Sequence, residues 1–530
     1  MQKPKHKAAL QGALFITIAS LLSKILSAFY KIPYQNIAGD LGYYIYQQVY
    51  PIYAMALAFS TYGFPMVLST LVAERIARKD EQGARDLSYA TFIVLQCMGI
   101  ICFSVLFLGS SQIAHYLMKD DKLTLLIKMV SVGFLFVPIT SVFRGYYQGL
   151  GDMGPTSISQ VIEQLFRVGT ILVLSIYLVI NVDNLYIVGA GAVSGSIIGS
   201  VAAILFFLYW ASFKGSGLTI PSIHSVKKYK AELKVILSQG ILLSLSSLVL
   251  VFIQFIDSLS FYPLLVHFGY HVEGAKIVKG IYDRGFPLIQ LGSVIASSFS
   301  LALIPFISSA LVRKEHEEIH KRIETSVRVS IVIGSAATVG LISIIHPTNI
   351  MLYRNDLGTD VLGVLSISII FAGLAITAAT ISQGLGKSLI PAINVLIGGV
   401  VKLIGNILLM EQIGSLGAAY STVIALAVVA LLNLIYLYRL VRVNLFSLKF
   451  LMKLAVIIFI MYYGVHFYEM IFEKVAVFIQ PLRLRMLVEA LTSAGIGALI
   501  FALAMLKIKL FKLEELSAVI KSKKLQKWLS

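Results

Sequence analysis

Read as apolar and polar positions, the chain is a succession of long apolar runs separated by short polar turns. A bilayer-spanning helix needs about 20 mostly apolar residues, and fourteen stretches reach that length. They lie near 8–30, 42–72, 88–113, 124–147, 155–180, 185–212, 235–266, 277–311, 323–346, 359–385, 389–411, 415–438, 449–471 and 484–507. The pattern predicts an all-α polytopic membrane protein of about fourteen transmembrane helices. The basic start, Lys3-Pro4-Lys5-His6-Lys7, resembles that of a signal peptide. The apolar stretch behind it is too long and has no clear small-residue cleavage site, so it reads as a retained first helix.

The turns between runs repeat. Gln148-Gly149-Leu150-Gly151 followed by Pro155 returns about 235 residues later as Gln383-Gly384-Leu385-Gly386 followed by Pro391. Pro65, Ser69, Leu71 and Val72 return as Pro305, Ser309, Leu311 and Val312, a shift of 240. Each copy ends at a mixed-charge loop. Two echoes at nearly one shift predict two six-helix lobes in parallel orientation, since six is even. The expected organisation is an N-terminal lobe over 1–213, a linker over 214–234, and a C-terminal lobe over 235–445. Two added helices over 446–510 and a basic tail over 511–530 follow. Repeated membrane lobes with a site near the midplane are the architecture of an alternating-access transporter.

Composition and charge narrow the function. Of 530 residues 58% are hydrophobic and 13% charged, against about 25% charged in soluble globular chains. Mean hydropathy is +0.86. A soluble enzyme, a disordered chain and a nucleic-acid-binding domain are excluded on these grounds, despite a net charge of +18. With fourteen helices and the N-terminus inside, most of the 44 basic residues fall in cytoplasmic segments. The densest are Arg75–Arg85, Lys214–Lys234, Arg439–Lys453 and the tail from Lys507. This bias predicts a plasma-membrane protein with both termini cytoplasmic. Cys97 and Cys102 share one apolar run and read as buried small hydrophobes.

Charges within the runs are the candidate chemistry, because each costs about 2.5–3.5 kcal/mol on insertion scales. Lys24 lies mid-run with no acidic neighbour and reads as a cation facing a central cavity. Lys31 lies nearer the outer end, where snorkelling to the interface competes with a functional role. Arg284, beside Asp283 in the eighth run, offers a planar fork for phosphate oxygens. Asp283 is then its orienter or the partner of another cation. Asp257 could answer Lys24 or bind a coupling cation. Glu163 and Arg167, spaced i, i+4, read as an intrahelical ion pair, with gating or substrate contact as the alternative. Arg144 reads as a snorkelling side chain, and Lys128, Arg328 and Lys402 carry no expectation. The balance of deep charge is cationic and favours an anionic ligand such as a pyrophosphate.

Other chemistry is missing. His267, His271 and Glu273 fall in a loop and make a poor metal site. No phosphate-binding GxxxxGK[ST] loop, G-x-S-x-G elbow or HExxH is present. The expectation is a transporter, with no enzymatic activity, no metal and no resident cofactor.

The stretches Phe143-Arg144-Gly145-Tyr146-Tyr147-Gln148-Gly149-Leu150-Gly151, Gln160-Val161-Ile162-Glu163-Gln164 and Ile281-Tyr282-Asp283-Arg284-Gly285 running on to Pro305 carry a resemblance. The chain is similar to the multidrug/oligosaccharidyl-lipid/polysaccharide flippase superfamily, in its polysaccharide-transporter and stage V sporulation protein B-like branch. The resemblance implies export of undecaprenyl-pyrophosphate-linked saccharides across the bacterial plasma membrane, lipid II among them. It also implies contact with membrane lipids and a lipid-tail groove at the last two helices. In the lipid II flippases of this superfamily basic residues line the cavity. Lys24 and Arg284 fall on two of those positions. A third falls at Tyr30, with Lys31 next to it, and a fourth falls near Ala54, where no basic residue stands. Two other readings stay open: a Na⁺- or H⁺-coupled small-molecule or drug exporter of the same fold, and a non-transporting scaffold that recruits envelope-synthesis enzymes.

Overall fold

The computed structural model describes residues 22–23, 25–214, 224–298, 315–442, 445–476 and 479–511. Among them every regular element is helical. Eleven helices are long and apolar enough to cross a membrane, and the chain is a multi-pass membrane protein. Two of these, Ile25–Ala77 and Leu389–Val441, are 53 residues each. At about 1.5 Å per residue each has a helical contour of roughly 80 Å, enough for two crossings of a hydrocarbon core of about 30 Å. Most predicted runs reappear with nearly their expected bounds; the first runs eight residues past its expected end at 30, and the first and eighth lie partly outside the described residues.

The elements used below are α1 (Lys31–Ala58), α2 (Phe64–Ala77), α3 (Glu81–Leu108), α4 (Thr124–Ser131), α5 (Gly133–Gly149), α6 (Gly154–Asn181), α7 (Leu185–Lys214), α8 (Lys230–Ser247), α9 (Val249–His267) and α10 (Val272–Asp283). Then come α11 (His316–Ser343), α12 (Ile345–Tyr353), α13 (Thr359–Ser366), α14 (Ser368–Gly384), α15 (Leu389–Val441), α16 (Leu448–Val475) and α17 (Leu482–Lys507). The described residues fall into two compact units, one drawn from Met1–Pro287 with Gly386–Ala425, the other from Leu288–Leu385 with Leu426–Ser530. The first unit joins the seventh run, the start of the eighth, the eleventh and the start of the twelfth with the first six.

Breaks in the helices set where side chains point. Inside α1, Gly39 has φ 69° and ψ −177°, a conformation open essentially to glycine alone. The first transmembrane helix thus continues to Ala38, and the second begins at Asp40. In α15 the break is at Ile413 and Gly414, where Gly414 has φ 57° and ψ −133°. Its two legs fold back on each other, since Ser421 Oγ donates to the Lys402 carbonyl at 2.8 Å. Between α1 and α2, residues Phe59–Gly63 form a π-helical turn, which leaves local backbone groups available to outside partners.

Small residues bring α6 and α7 together. A Cβ at Gly195 would stand 2.8 Å from the Arg167 carbonyl, and one at Gly199 would stand 2.6 Å from that of Glu163. Gly191, Gly195 and Gly199 form a close-packing ladder, which holds the helix that carries Glu163 and Arg167. The first unit's apolar core joins Leu68 and Val72 of α2, Leu87 of α3, Val142 of α5 and Ile236 of α8. In the second unit Val332 of α11 meets Leu454 and Ile457 of α16 and Ala504 of α17. Large apolar side chains such as Leu108 on α3 and Tyr209 on α7 are exposed, as lipid-facing residues should be.

In the mixed-charge loop Asp80 caps α3, accepting from the Gly83 backbone N–H at 2.8 Å. That bond, helped by Arg75, holds the Asp80 carboxyl below its ordinary value. A depressed carboxyl stabilises the fold above its unfolded pKa and loses that contribution as pH falls through the folded one. Asp80→Ala should therefore speed hydrogen exchange in the first turn of α3 at neutral pH. The natural chain should approach the variant's rate only in acid.

Candidate functional site

The buried charges of the first unit sort into ion pairs and a remainder. Arg284 follows α10 at a bend before the helical stretch 285–298. It is fully buried and grips Asp40 through Nε at 2.9 Å and Nη2 at 2.6 and 2.5 Å. Gln35 Nε2 donates to the same carboxylate at 2.9 Å. The backbone at Gly280 lies so close to Asp40 that a Cβ there would meet the Asp40 carbonyl at 2.1 Å. Arg284, expected to face a ligand, is instead locked to a carboxylate that the sequence reading passed over. Asp283 pairs one turn back with Lys279 Nζ, at 2.5 and 2.6 Å. Of its two expected roles, it is the partner of another cation and does not orient Arg284.

Asp257 on α9 meets Lys402 on the first leg of α15 at 2.8 Å. It also accepts from Tyr282 at 2.9 Å and from Asn406 Nδ2 at 2.9 Å. Lys402, for which the sequence carries no expectation, is thus the cation paired with Asp257 among the described residues.

Glu163 and Arg167 share a face of α6 but do not bond. Glu163 accepts from Arg144 Nη2 at 2.6 Å, and Arg144 is fully buried, so it does not snorkel. Arg144 also donates to the Ser60 carbonyl at 3.2 Å and to Thr61 Oγ1 at 3.2 Å, pinning the π-helical turn. The reason the intrahelical pair fails is competition: α5 brings a guanidinium to Glu163 from a neighbouring helix.

Arg167 is left with Ser27 Oγ as its hydrogen-bond partner, at 2.9 Å. Its guanidinium lies over the rings of Tyr30 and Tyr53, 5.2 and 5.1 Å from their centroids. Its Nε and Nη1 are buried without partners among the described residues. Lys31 is close by: its Nζ stands 3.7 Å over the Tyr50 ring and has no hydrogen-bond partner among the described residues. It is fully buried two turns before the Gly39 break. Tyr30 and Tyr46 share a hydrogen bond of 2.7 Å, and Tyr46 packs on Tyr50 with centroids 6.0 Å apart. One aromatic box therefore holds both cations. Gln160 and Gln164, on the Arg167 face of α6, have buried amide oxygens without partners among the described residues. Lys24 lies outside the described residues. The only acidic residues outside them are Glu514 and Glu515.

A further pair closes the same unit. Lys276 Nζ meets Asp120 Oδ2 at 2.6 Å and donates to Tyr186 at 2.8 Å. Tyr186 and Tyr44 both donate to Asp120, at 2.7 and 3.2 Å. The sequence reading missed this knot, together with Asp40, Lys279 and the tyrosine box. The tyrosines were the available signal, with Tyr43, Tyr44, Tyr46, Tyr50 and Tyr53 crowding one short stretch.

Burial of a charge without a partner costs several kcal/mol. Arg144, Lys276, Lys279, Arg284 and Lys402 avoid this through carboxylates. Lys31 and Arg167 do not. Polarised tyrosine faces ease a cation by about 0.5–2 kcal/mol, less than a carboxylate would. The charge balance of the box favours an anion.

Comparison with known proteins follows the same direction. The chain is 38% identical over 530 residues to the uncharacterised membrane protein YabM of Bacillus subtilis, covering 98% of this chain and 96% of that one. It is 27% identical over 476 residues to the lipid II flippase MurJ of the same organism, covering 85% and 86%. A solved structure of lipid II flippase MurJ in an inward closed conformation shares the fold, with a TM-score of 0.68 at 16% identity over 93% of this chain and 98% of that one. The likeness read from Phe143–Gly151 and Ile281–Gly285 is borne out. Residues 9–311, more than half of the chain, match the polysaccharide biosynthesis protein family, and the chain belongs to it.

Proposed function

We propose that the chain is a flippase that carries a lipid-pyrophosphate-linked saccharide precursor, a lipid II-like or polysaccharide unit, across the bacterial plasma membrane by alternating access. The observation that carries this reading is the pair of buried cations, Lys31 and Arg167, held in a tyrosine box without a carboxylate. A pyrophosphate supplies the missing negative charge, and a guanidinium fork and an ammonium suit its oxygens. Tyrosine faces around the cations suit a polar, ring-shaped headgroup. The prenyl tail would stay in lipid while the two repeat-related lobes, 1–213 and 235–445, rock about the headgroup. Family membership and the name of the MurJ relative support the substrate class.

An exporter of organic cations needs a deep carboxylate free to meet its cargo. In the first unit Asp40, Glu163, Asp257 and Asp283 are each committed to a cation. The deciding experiment reconstitutes the purified full chain in proteoliposomes with a fluorescent undecaprenyl-pyrophosphate disaccharide in the inner leaflet. The expected result is protein-dependent appearance of the headgroup outside. No translocation of any lipid-linked saccharide rejects the reading and favours a scaffold. Transport of cationic dyes alone, dependent on an ion gradient, favours the exporter.

A further inference from the structure

A second buried cluster in the first unit takes no part in that reading. Lys402 Nζ is surrounded by four oxygens: Thr422 Oγ1 at 2.7 Å, Asp257 Oδ1 at 2.8 Å, the Ala418 carbonyl at 2.8 Å and the Tyr282 hydroxyl at 3.2 Å. All five residues are fully buried. The two legs of α15 make this possible. The break at Gly414 turns the chain back, and close contact of Gly405 with Ser421 brings the Ala418 carbonyl and Thr422 beside Lys402. A fifth group stands next to the cage. Asn406 donates to Asp257 Oδ1 and to Ser260 Oγ, both at 2.9 Å, and its own Oδ1 is buried without a partner among the described residues.

An ammonium has three donors, so four oxygens leave at least one N–H shared. A carboxylate, a carbonyl and hydroxyls are hard oxygen ligands, the kind that hold alkali and alkaline-earth cations. The cage carries one negative charge, at Asp257, and so matches a single positive charge. We infer that this is a monovalent-cation cage whose resident cation is the chain's own Lys402 ammonium. Its ligand class is an alkali cation, of which Na⁺ serves as the probe. In the natural chain the cage is closed to Na⁺ because a tethered cation already fills it. Asp257 is then not a coupling-ion site in this protein, and taking away the ammonium would make it one.

The test reads stability and needs no transport, so its failure is separate from that of the flippase reading. Thermal unfolding of the purified full chain is followed in sodium chloride and in choline chloride at equal ionic strength. The natural chain should give the same Tm in both. Lys402→Ala should be several degrees less stable in choline, and added Na⁺ should raise its Tm in a saturable way. Lys402→Ala/Asp257→Asn, with no charge to neutralise, should lose the Na⁺ response. A saturable Na⁺ response in the natural chain overturns the inference. So does a Lys402→Ala variant that Na⁺ leaves unmoved, or one that folds in neither salt while the double variant folds.

Discussion

Arg284→Ala should destabilise the protein severely, before any question of transport arises. The guanidinium makes three hydrogen bonds to Asp40 within 2.5–2.9 Å, and it is fully buried, with the Asp40 side chain 15% exposed. Removing one partner of such a pair leaves the other charge without compensation, at a cost of about 3–5 kcal/mol. That corresponds to a fall in Tm of order 10 °C. Arg284→Lys keeps the charge, loses the fork and should fall between. Asp40→Leu/Arg284→Met removes both charges and should recover most of the lost stability, because a buried ion pair adds little over well-packed apolar side chains. An unchanged Tm in Arg284→Ala, with transport gone, would restore Arg284 to the role of ligand that the sequence alone favours.

The contrast between Arg284 and its neighbours shows where the sequence is readable. Apolar length is a local property, so the membrane runs appear with nearly their final bounds: 359–385 becomes Thr359–Ser366 and Ser368–Gly384, and the gap between 411 and 415 contains the break at Gly414. Partner choice is not local. Asp40 and Arg284 lie 244 positions apart, and Asp257 and Lys402 lie 145 apart. Neither pair has a sequence signature. The i, i+4 spacing of Glu163 and Arg167 is a local signal that misleads, because helix spacing puts two side chains on one face without saying what else arrives there. Arg144 reaches Glu163 from α5 and leaves Arg167 to the tyrosines. For Lys31, near the outer end of its run, the sequence leaves snorkelling and a functional role both open. In the structure it is buried two turns before the Gly39 break.

Arg167→Leu and Lys31→Met should behave in the opposite way to Arg284→Ala: each should remove transport while leaving the protein as stable or more so. Both side chains are fully buried, and neither has a carboxylate within salt-bridge distance among the described residues. Deleting them removes a desolvated charge and strands no counter-ion. Arg167 gives up one hydrogen bond, to Ser27, and contacts with two rings, and Leu or Met fills much of the vacated volume. A site that spends stability on preformed binding groups commonly gains stability when they are removed. For the transported headgroup the balance is reversed. Each charged contact to a phosphate oxygen is worth about 1.5–3 kcal/mol, so each variant should lower flipping by roughly 10–100-fold, since about 1.4 kcal/mol is tenfold. The two losses should be less than additive, because Lys31 and Arg167 share one aromatic box and would share one pyrophosphate. The measurements are Tm of the purified variants and initial flipping rate in proteoliposomes. A Tm that falls by as much as in Arg284→Ala would mark these cations as structural. Full transport in the double variant would remove the box from the substrate path.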